Sequence, residues 1–233
     1  MINFYLRALL TFVIVIPLIA NASDTLVKPG NYSGFLKDYS QLQQAKDEEG
    51  HKVMRYLSPA LTSGQYHQVM IDPVKYYPMP KPDKNVDSAT LDSILHYFDK
   101  TLNQKVGEQV LIVNKAGPGV VRLRIALTAV KTENAPLKPY QYIPFAFIAH
   151  GIRKAAGDNA KDAELYVEMD VLDSQSGKRI GAVVAKSAGT EVKAVEAGPE
   201  KGKKMVVLDN VKPILDNWAK MVADFAGSNF HPQ

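Results

Sequence analysis

The chain has 233 residues, a formal net charge of +4 and no cysteine. Without a thiol it can form no disulfide, and it has no cysteine for lipid attachment, metal ligation or nucleophilic chemistry. The lysines are spread along the sequence, apart from a cluster at Lys201, Lys203 and Lys204. This mild and dispersed charge argues against nucleic acid as a partner.

Residues 1–22 have the pattern of a secretory signal peptide. Arg7 supplies the positive charge, residues 8–19 are apolar, and Ala20-Asn21-Ala22 matches a cleavage motif before Ser23. The apolar run is shorter than the ~20 residues of a permanent membrane helix, although an uncleaved anchor is the alternative. We therefore predict an exported protein with no stable membrane insertion after cleavage, whose residues 23–233 form a single domain.

The first half of the mature chain predicts an extended region followed by a helix. Aromatic residues 31–39 are expected to pack an edge of the domain, and residues 67–71 to form a short strand. Three prolines in residues 76–83 favour a stiff connector over a central strand. A helix is expected from a cap at Ser88 to residue 106, because its apolar residues repeat every three or four positions.

Residues 117–130, GPGVVRLRIALTAV, carry the most regular strand pattern in the chain. One face is apolar, and the other carries Arg122 and Arg124 among small and β-branched residues. The preceding Gly-Pro-Gly lacks the length and the lysine of a phosphate-binding loop, so we interpret it as a turn. Residues 108–113 are expected to pair with this strand as a hairpin.

The second half predicts another hairpin and a long helix. Apolar and polar side chains alternate along residues 165–172, which predicts a strand with Glu168 and Asp170 pointing outward. Residues 178–190 are expected to form the second strand of the hairpin, with Ile180, Ala182 and Val184 on one face. Residues 143–156 are interpreted as a packed helix, a mobile flap or an interface. An apolar stripe predicts the last helix over residues 208–225, with the lone Trp218 in the core.

No catalytic, cofactor or metal-binding residues are assigned. The five histidines lack metal-ligand spacing, and neither an HExxH nor a GxSxG motif occurs. Arg122 and Arg124 form a candidate anion-binding site, because guanidinium groups bind carboxylates and phosphates bidentately. The alternative is that these arginines form cross-strand ion pairs with Glu168 and Asp170.

Four blocks of sequence resemble an uncharacterised family of small bacterial envelope proteins, mostly lipoproteins. They are SGFLKDYS at residues 33–40, MIDPV at 70–74, the strand at 117–130 and ELYVEMDVLDSQSGKRI at 164–180. The resemblance implies no known catalytic residue. Family members usually carry a lipid-accepting cysteine at the cleavage site, and its absence here favours a soluble form.

These observations predict an α+β fold in which two amphipathic helices cover one face of a largely antiparallel sheet of about five strands. The element order is similar to the amino-terminal domain of TolB and to curli-secretion modules, a likeness of fold and not of function. The leading hypothesis is a non-enzymatic periplasmic binding or envelope-assembly protein with an envelope protein as partner. The alternatives are a ring-forming secretion component and a hydrolase or transferase that uses His67, Asp72 and the two arginines.

Overall fold

The computed structural model describes residues 27, 32–61, 64–80, 87–128, 165–187, 195–196, 204–205 and 208–230. The predicted signal at residues 1–22 and the segment at 143–156 lie outside these ranges, so both remain predictions. In the described ranges no helix has the length and apolar character needed to cross a membrane.

Ten strands and two helices make up the described parts of the chain. The strands are β1 (Gln43–Lys46), β2 (Lys52–Leu57), β3 (Gln68–Ile71), β4 (Lys75–Tyr77), β5 (Leu111–Ile112), β6 (Val120–Thr128), β7 (Tyr166–Asp173), β8 (Arg179–Lys186), β9 (Val195–Glu196) and β10 (Lys204–Met205). The helices are α1 (Ser88–Gly107) and α2 (Leu208–Asn229).

Eight of the strands form a mixed sheet in the order β1-β2-β8-β7-β6-β3-β5, with β4 also paired to β6, whereas β9 and β10 pair with each other in a separate antiparallel sheet. Pairing is antiparallel from β1 to β6, whereas β3 and β4 run parallel to β6. A helical crossover through α1 separates β3 from β6, and such a crossover returns the chain in the same direction. The α+β class is therefore confirmed, with eight strands in the described sheet and not about five.

The β7–β8 hairpin is confirmed, but the hairpin expected between residues 108–113 and β6 is wrong. Only Leu111–Ile112 is a strand there, and it pairs in parallel with the outer side of β3. The turn before β6 then carries the chain back to the start of β3, where the Gly119 carbonyl accepts hydrogen bonds from the amides of His67 and Gln68. Both segments follow the α1 crossover, so both run parallel to β3.

Both helices pack on the apolar face of β6, as predicted. Phe98 of α1 and Trp218 of α2 meet in this core with ring centroids 6.3 Å apart, and both side chains are buried. The buried side chains of β6 on this face are Val121, Leu123, Ile125 and Leu127. Two details differ from the prediction. The N-cap of α1 is Asp87 and not Ser88, and its carboxylate accepts the Thr90 amide at 2.7 Å. Helix α2 continues beyond residue 225 to Asn229.

The opposite face of the sheet is covered by residues 32–42, which we call the strap. Phe35 and Leu36 of the strap are buried with Ala126, Tyr166 and Val184 of the sheet. The expectation that this aromatic segment packs an edge is therefore wrong. Because the strap shields β7 from water, β7 is buried along almost its whole length.

The start of the proline-rich segment differs from its prediction as a connector, whereas Pro78 and Pro80 lie outside any strand, as expected. Lys75–Tyr77 forms β4 beside β6, and the hydroxyl of the buried Tyr76 donates to the Leu91 carbonyl at 2.9 Å. Asp72 and Pro73 interrupt the line between β3 and β4, although both strands pair with β6. Proline is tolerated at this break because its missing amide disrupts no ladder bond.

Gly119 occupies a position where alanine is expected to destabilise the fold. Its φ is +70°, and an added Cβ would lie 2.1 Å from Cε1 of His67. Gly177 is a matched control, since its φ is +68° and no atom lies within 4 Å of its added Cβ. We expect Gly177→Ala to cost about 1 kcal/mol for the left-handed backbone, and Gly119→Ala to cost about 1 kcal/mol more because the imidazole must move.

Chemical denaturation of both variants tests this expectation. Adding His67→Ala to Gly119→Ala should remove most of the extra cost, because the clashing ring is then absent. Equal losses for the two glycine variants would show that the contact between Gly119 and His67 is unimportant.

Candidate functional site

Arg122 is held by Asp72 on the strap side of the sheet. Its Nε lies 2.8 Å from Oδ1 of Asp72 and its Nη2 lies 2.8 Å from Oδ2, which is a bidentate pair. These bonds raise the pKa of Arg122 above its usual value and hold the group charged. Arg122 faces Met70 in the register, so Asp72 is its diagonal neighbour. The expected pairing of Arg122 with Glu168 or Asp170 is therefore wrong.

Arg124 and Asp170 form the predicted cross-strand ion pair. They are direct partners in the β6–β7 register, and Nη1 of Arg124 lies 3.2 Å from Oδ2 of Asp170. The other carboxylate oxygen of Asp170 accepts Nε of Arg179 at 2.6 Å. The Asp170 side chain is only 4% exposed, so the prediction that it projects into solvent is wrong.

Arg179 is a member of this network that the sequence pattern did not reveal. The β7–β8 register shifts between Val171 and Leu172, so that Leu172 pairs with Arg179. A bulge of this kind reverses the side-chain alternation beyond it. Arg179 therefore reaches the strap face, whereas Ile180 enters the helix-side core. The expectation that Ile180 shares a face with Ala182 and Val184 is wrong for the same reason.

The guanidinium of Arg179 also fastens the strap. Its Nη1 donates to the Asp38 carbonyl at 2.7 Å, and its Nη2 donates to the Leu36 carbonyl. The guanidinium of Arg124 lies over the Phe35 ring, 5.3 Å from its centroid. One buried aspartate thus orients two arginines that both contact the strap, so these charges join the strap to the sheet.

Glu168 binds the strap directly and not through an arginine. Its Oε1 accepts the Ser33 amide at 3.0 Å, and its Oε2 accepts the Tyr39 hydroxyl at 2.7 Å. Glu168 is 1% exposed, so its prediction as an outward-facing surface residue is wrong. Burial and the hydrogen bond to Glu168 raise the pKa of Tyr39 well above its usual value near 10.

The residues considered for catalysis contact different partners. Asp72 is paired with Arg122, and the Tyr66 hydroxyl donates to Asp173 at 3.2 Å. His67 packs on Gly119, and its buried Nδ1 has no hydrogen-bond partner in the described part of the chain. Asp72 therefore does not orient His67 as a carboxylate orients a catalytic histidine.

A small cavity lies between the β1–β2 turn, the end of β8 and α2. Its volume is about 60 Å³, and its lining includes His51, Asn217 and Trp218. This cavity is smaller than most small-molecule sites, which are usually about 300 Å³ or larger. A second, more open cavity of about 300 Å³ lies beside β1 and β2, where its lining includes Gln41, Gln43 and Arg55. In the described ranges no three histidine, aspartate or glutamate side chains are grouped to hold a metal ion.

Tyr39→Phe is expected to change how stability depends on alkaline pH. The folded state keeps the Tyr39 proton where the unfolded state loses it, so this contribution is complete below about pH 10 and is lost as the pH rises further. At pH 7 the variant should lose about 1 to 2 kcal/mol, because Glu168 loses one hydrogen bond.

Urea unfolding at a series of pH values from 7 to about 11 measures this effect. The difference between the wild-type protein and Tyr39→Phe should narrow above about pH 10. Tyr77→Phe is the control, since the Tyr77 ring is 38% exposed and packs against Phe35. A constant difference across the series would contradict the role of the bond between Tyr39 and Glu168.

Comparison with known proteins finds a relative that matches most of this sequence. The chain is 29% identical over 201 residues to the uncharacterized lipoprotein YdcL of Escherichia coli K12, which covers 86% of this chain and 87% of the relative.

Two solved structures share a weak likeness. The PelC dodecamer of Paraburkholderia phytofirmans has a TM-score of 0.36 and 9% identity, covering 78% of this chain and 98% of that one. A Helicobacter pylori homolog of the neuraminyllactose-binding hemagglutinin has a TM-score of 0.30 and 11% identity, covering 70% and 82%. At such scores neither likeness carries an argument about assembly or ligands.

The family model described as "Protein of unknown function (DUF3313)" matches residues 31–222. This range includes the strap, the whole described eight-stranded sheet and most of α2. The resemblance stated from the sequence is therefore confirmed, and the chain belongs to this uncharacterised family of bacterial envelope lipoproteins.

Proposed function

We propose that the protein is a non-enzymatic periplasmic module that binds a partner in the cell envelope or assists envelope assembly. Its predicted export signal and its family membership support this compartment. The family itself carries no assigned activity, so the proposal depends on how the charged side chains are used.

The observation that carries the proposal is that the three arginines on the strap face are engaged by carboxylates of the same molecule. Arg122 binds Asp72 through two hydrogen bonds, and Arg124 and Arg179 share Asp170. A guanidinium already engaged by a carboxylate has little free capacity for an external anion. We therefore assign these groups to fastening the strap and not to an anion-binding site, which remains the rival assignment for Arg122 and Arg124.

The geometry also favours binding over hydrolysis. A general base must be oriented by a third group and lie within hydrogen-bond reach of its nucleophile. The Asp72 carboxylate is turned towards Arg122, and Nδ1 of His67 forms no hydrogen bond with Asp72 or with another group of the described chain. A hydrolase that uses His67 and Asp72 would need both side chains to leave these positions.

Partner binding can be tested by site-directed crosslinking in the periplasm. The chain has no cysteine, so a single introduced cysteine can carry a photo-crosslinker at one known position. Gln43 is exposed on β1, which ends the described sheet order, and Ser93 is exposed on α1. We expect one reproducible adduct with an envelope protein from Gln43→Cys and none from the control Ser93→Cys.

Catalysis is tested separately on the purified protein. Chromogenic carboxylic and phosphoric esters should show no turnover above the uncatalysed rate. Saturable hydrolysis that His67→Ala or Asp72→Asn abolishes would overturn the proposal, as would the lack of any reproducible adduct from Gln43→Cys.

A further inference from the structure

Arg55 differs from the other arginines in the described part of the chain. Arg122, Arg124 and Arg179 are each engaged by an aspartate carboxylate. Arg55 lies in β2 and is half-buried, but in the described ranges its side chain makes no hydrogen bond or ion pair. Because a guanidinium group carries five N–H donors, Arg55 keeps its capacity to bind an external anion.

Arg55 lines the more open cavity of about 300 Å³ beside β1 and β2, which we call the Arg55 cavity. Gln43 is the direct partner of Arg55 in the β1–β2 register. Val53 and Leu57, two residues before and after Arg55, contact the helix-side core, so Arg55 and Gln43 lie on the same side of the sheet. Since β1 begins at Gln43, Leu57 pairs with β8 alone in the described ranges, and the cavity lies at this step in the sheet edge.

The other side chains around the Arg55 cavity complement the guanidinium group. Gln41 and Gln43 are exposed, and in the described part of the chain their amide groups likewise make no hydrogen bond. A glutamine amide both donates and accepts, and a guanidinium group presents two parallel N–H donors that match a carboxylate. Leu57 adds an apolar wall. The volume of about 300 Å³ is at the lower end of the range for small-molecule sites.

The charges beside Arg55 favour a ligand with a single negative charge. Asp47 and Glu48 line the neighbouring cavity together with Arg55. Asp47 is occupied, since its Oδ1 accepts the His51 amide at 2.8 Å and its Oδ2 lies 3.1 Å from Nδ1 of His51. Glu48 is exposed and forms no ion pair with Arg55. These two carboxylates would repel a dianion, whereas the one positive charge of Arg55 matches one carboxylate.

The remaining charges nearby do not alter this balance. Lys46 and Lys52 face each other at the turn end of the β1–β2 hairpin, three residues from Arg55 along β2. That separation is about 10 Å, so salt largely screens their effect at the cavity. On α2, Lys220 forms an ion pair with Asp224, which leaves no net charge from these two residues.

We propose that the Arg55 cavity binds a small molecule that carries one carboxylate beside a hydroxyl or amide group. Arg55 holds the carboxylate, and the amides of Gln41 and Gln43 bond to the neighbouring group. The site lies on the opposite side of the sheet from Arg122 and Arg124. It goes beyond the proposed function, because such a ligand binds with or without a protein partner.

The first test is an NMR titration of the purified exported chain with two pairs of probes. Glucuronate and glucose differ in a carboxylate beside hydroxyls, and N-acetylalanine and N-acetylalaninamide differ in a carboxylate beside an amide. At least one acid should shift the amide signals of residues 41–43 and 55–57 saturably, with a dissociation constant of about 1 mM. The acid that binds more tightly identifies the neighbouring group. No saturable shift from either acid, equal binding of the neutral probes, or tighter binding of inorganic phosphate would overturn the proposal.

The second test repeats the titration with substituted chains, and thermal unfolding checks that each is folded. Arg55→Gln should raise the dissociation constant about tenfold or more, and Arg55→Lys should raise it less, because lysine keeps the charge without the planar fork. Glu48→Gln should tighten binding by up to about fivefold, since it removes a competing carboxylate. Arg122→Gln is the matched control and should leave the affinity unchanged.

An equal loss of affinity in Arg55→Gln and Arg122→Gln would contradict the assignment to Arg55. No envelope partner is present in the titration, so its result is independent of the crosslinking at Gln43. A failed crosslink with an intact titration would overturn the proposed function alone.

Discussion

Asp170→Ala is expected to lower the free energy of unfolding by about 3 kcal/mol or more, since removal of one partner from a buried ion pair leaves the remaining charge uncompensated. The Asp170 carboxylate accepts both Arg124 and Arg179, whose side chains are 29% and 21% exposed. Without it two guanidinium groups face each other beneath the strap. The strap should loosen as well, because Asp170 orients the Arg179 contacts to the Leu36 and Asp38 carbonyls.

The matched control is Asp72→Ala, which removes the carboxylate of the other ion pair on the same face. The side chains of Arg122 and Asp72 are 42% and 25% exposed, so water can solvate the arginine that is left. The expected cost is about 1 kcal/mol. Urea unfolding measures both values, and amide exchange of residues 33–39 reports the loosened strap. Equal costs for the two variants would contradict a special role for Asp170.

Phe98→Ala is expected to destabilise the fold by about 3 to 5 kcal/mol, through lost apolar burial and the cavity that remains. Phe98 is completely buried where α1, α2 and the sheet meet, and its ring lies 6.3 Å from that of Trp218. Trp218 is the only tryptophan, so its fluorescence follows unfolding directly. A cost of this size would show that the packing of Phe98 between the two helices and the sheet contributes strongly to stability.

His96→Ala is the control for this second expectation. His96 lies on the exposed side of the same helix, two residues before Phe98. Exposed substitutions of this kind usually change stability by less than about 0.5 kcal/mol. If His96→Ala were as destabilising as Phe98→Ala, the loss could not be assigned to core packing, since alanine is the strongest helix former and neither substitution lowers helix propensity.

The two helices were predicted correctly because helical periodicity is a pattern among residues that are close in sequence. The apolar stripes of α1 and α2 repeat at the spacing that brings side chains to one face, and these stripes are buried. The alternation in β6 likewise predicted which side chains enter the helix-side core. Such signals are local, so they survive without knowledge of the rest of the fold.

Prediction failed where the outcome depended on which segments meet. The short β5 pairs with β3 and not with β6. The sequence could not predict this partner, because backbone hydrogen bonds are the same for every residue and do not specify which strand is paired. A single bulge brought Arg179 to the strap face and sent Ile180 to the core. A register change of one residue exchanges the two faces of a strand, and no residue type in this hairpin predicted the bulge.

The charged face shows the same division between local and tertiary information. The alternation of residues 165–172 put Glu168 and Asp170 on one side of the strand, which the structure bears out, but the inference that this side meets water was wrong. Their environment is set by a strap more than a hundred residues away in sequence, as in the contact between Ser33 and Glu168.

By itself, the sequence determined the α+β class, the two helices, the β7–β8 hairpin and the membership of an uncharacterised envelope family. These features follow from periodicity and from short blocks of residues. Only the tertiary structure decided that the strap covers the second face and that Asp170 joins Arg124 to Arg179. The physical reason is that burial and ion pairing depend on which distant segments come together, whereas amphipathic patterns depend on neighbours in the chain.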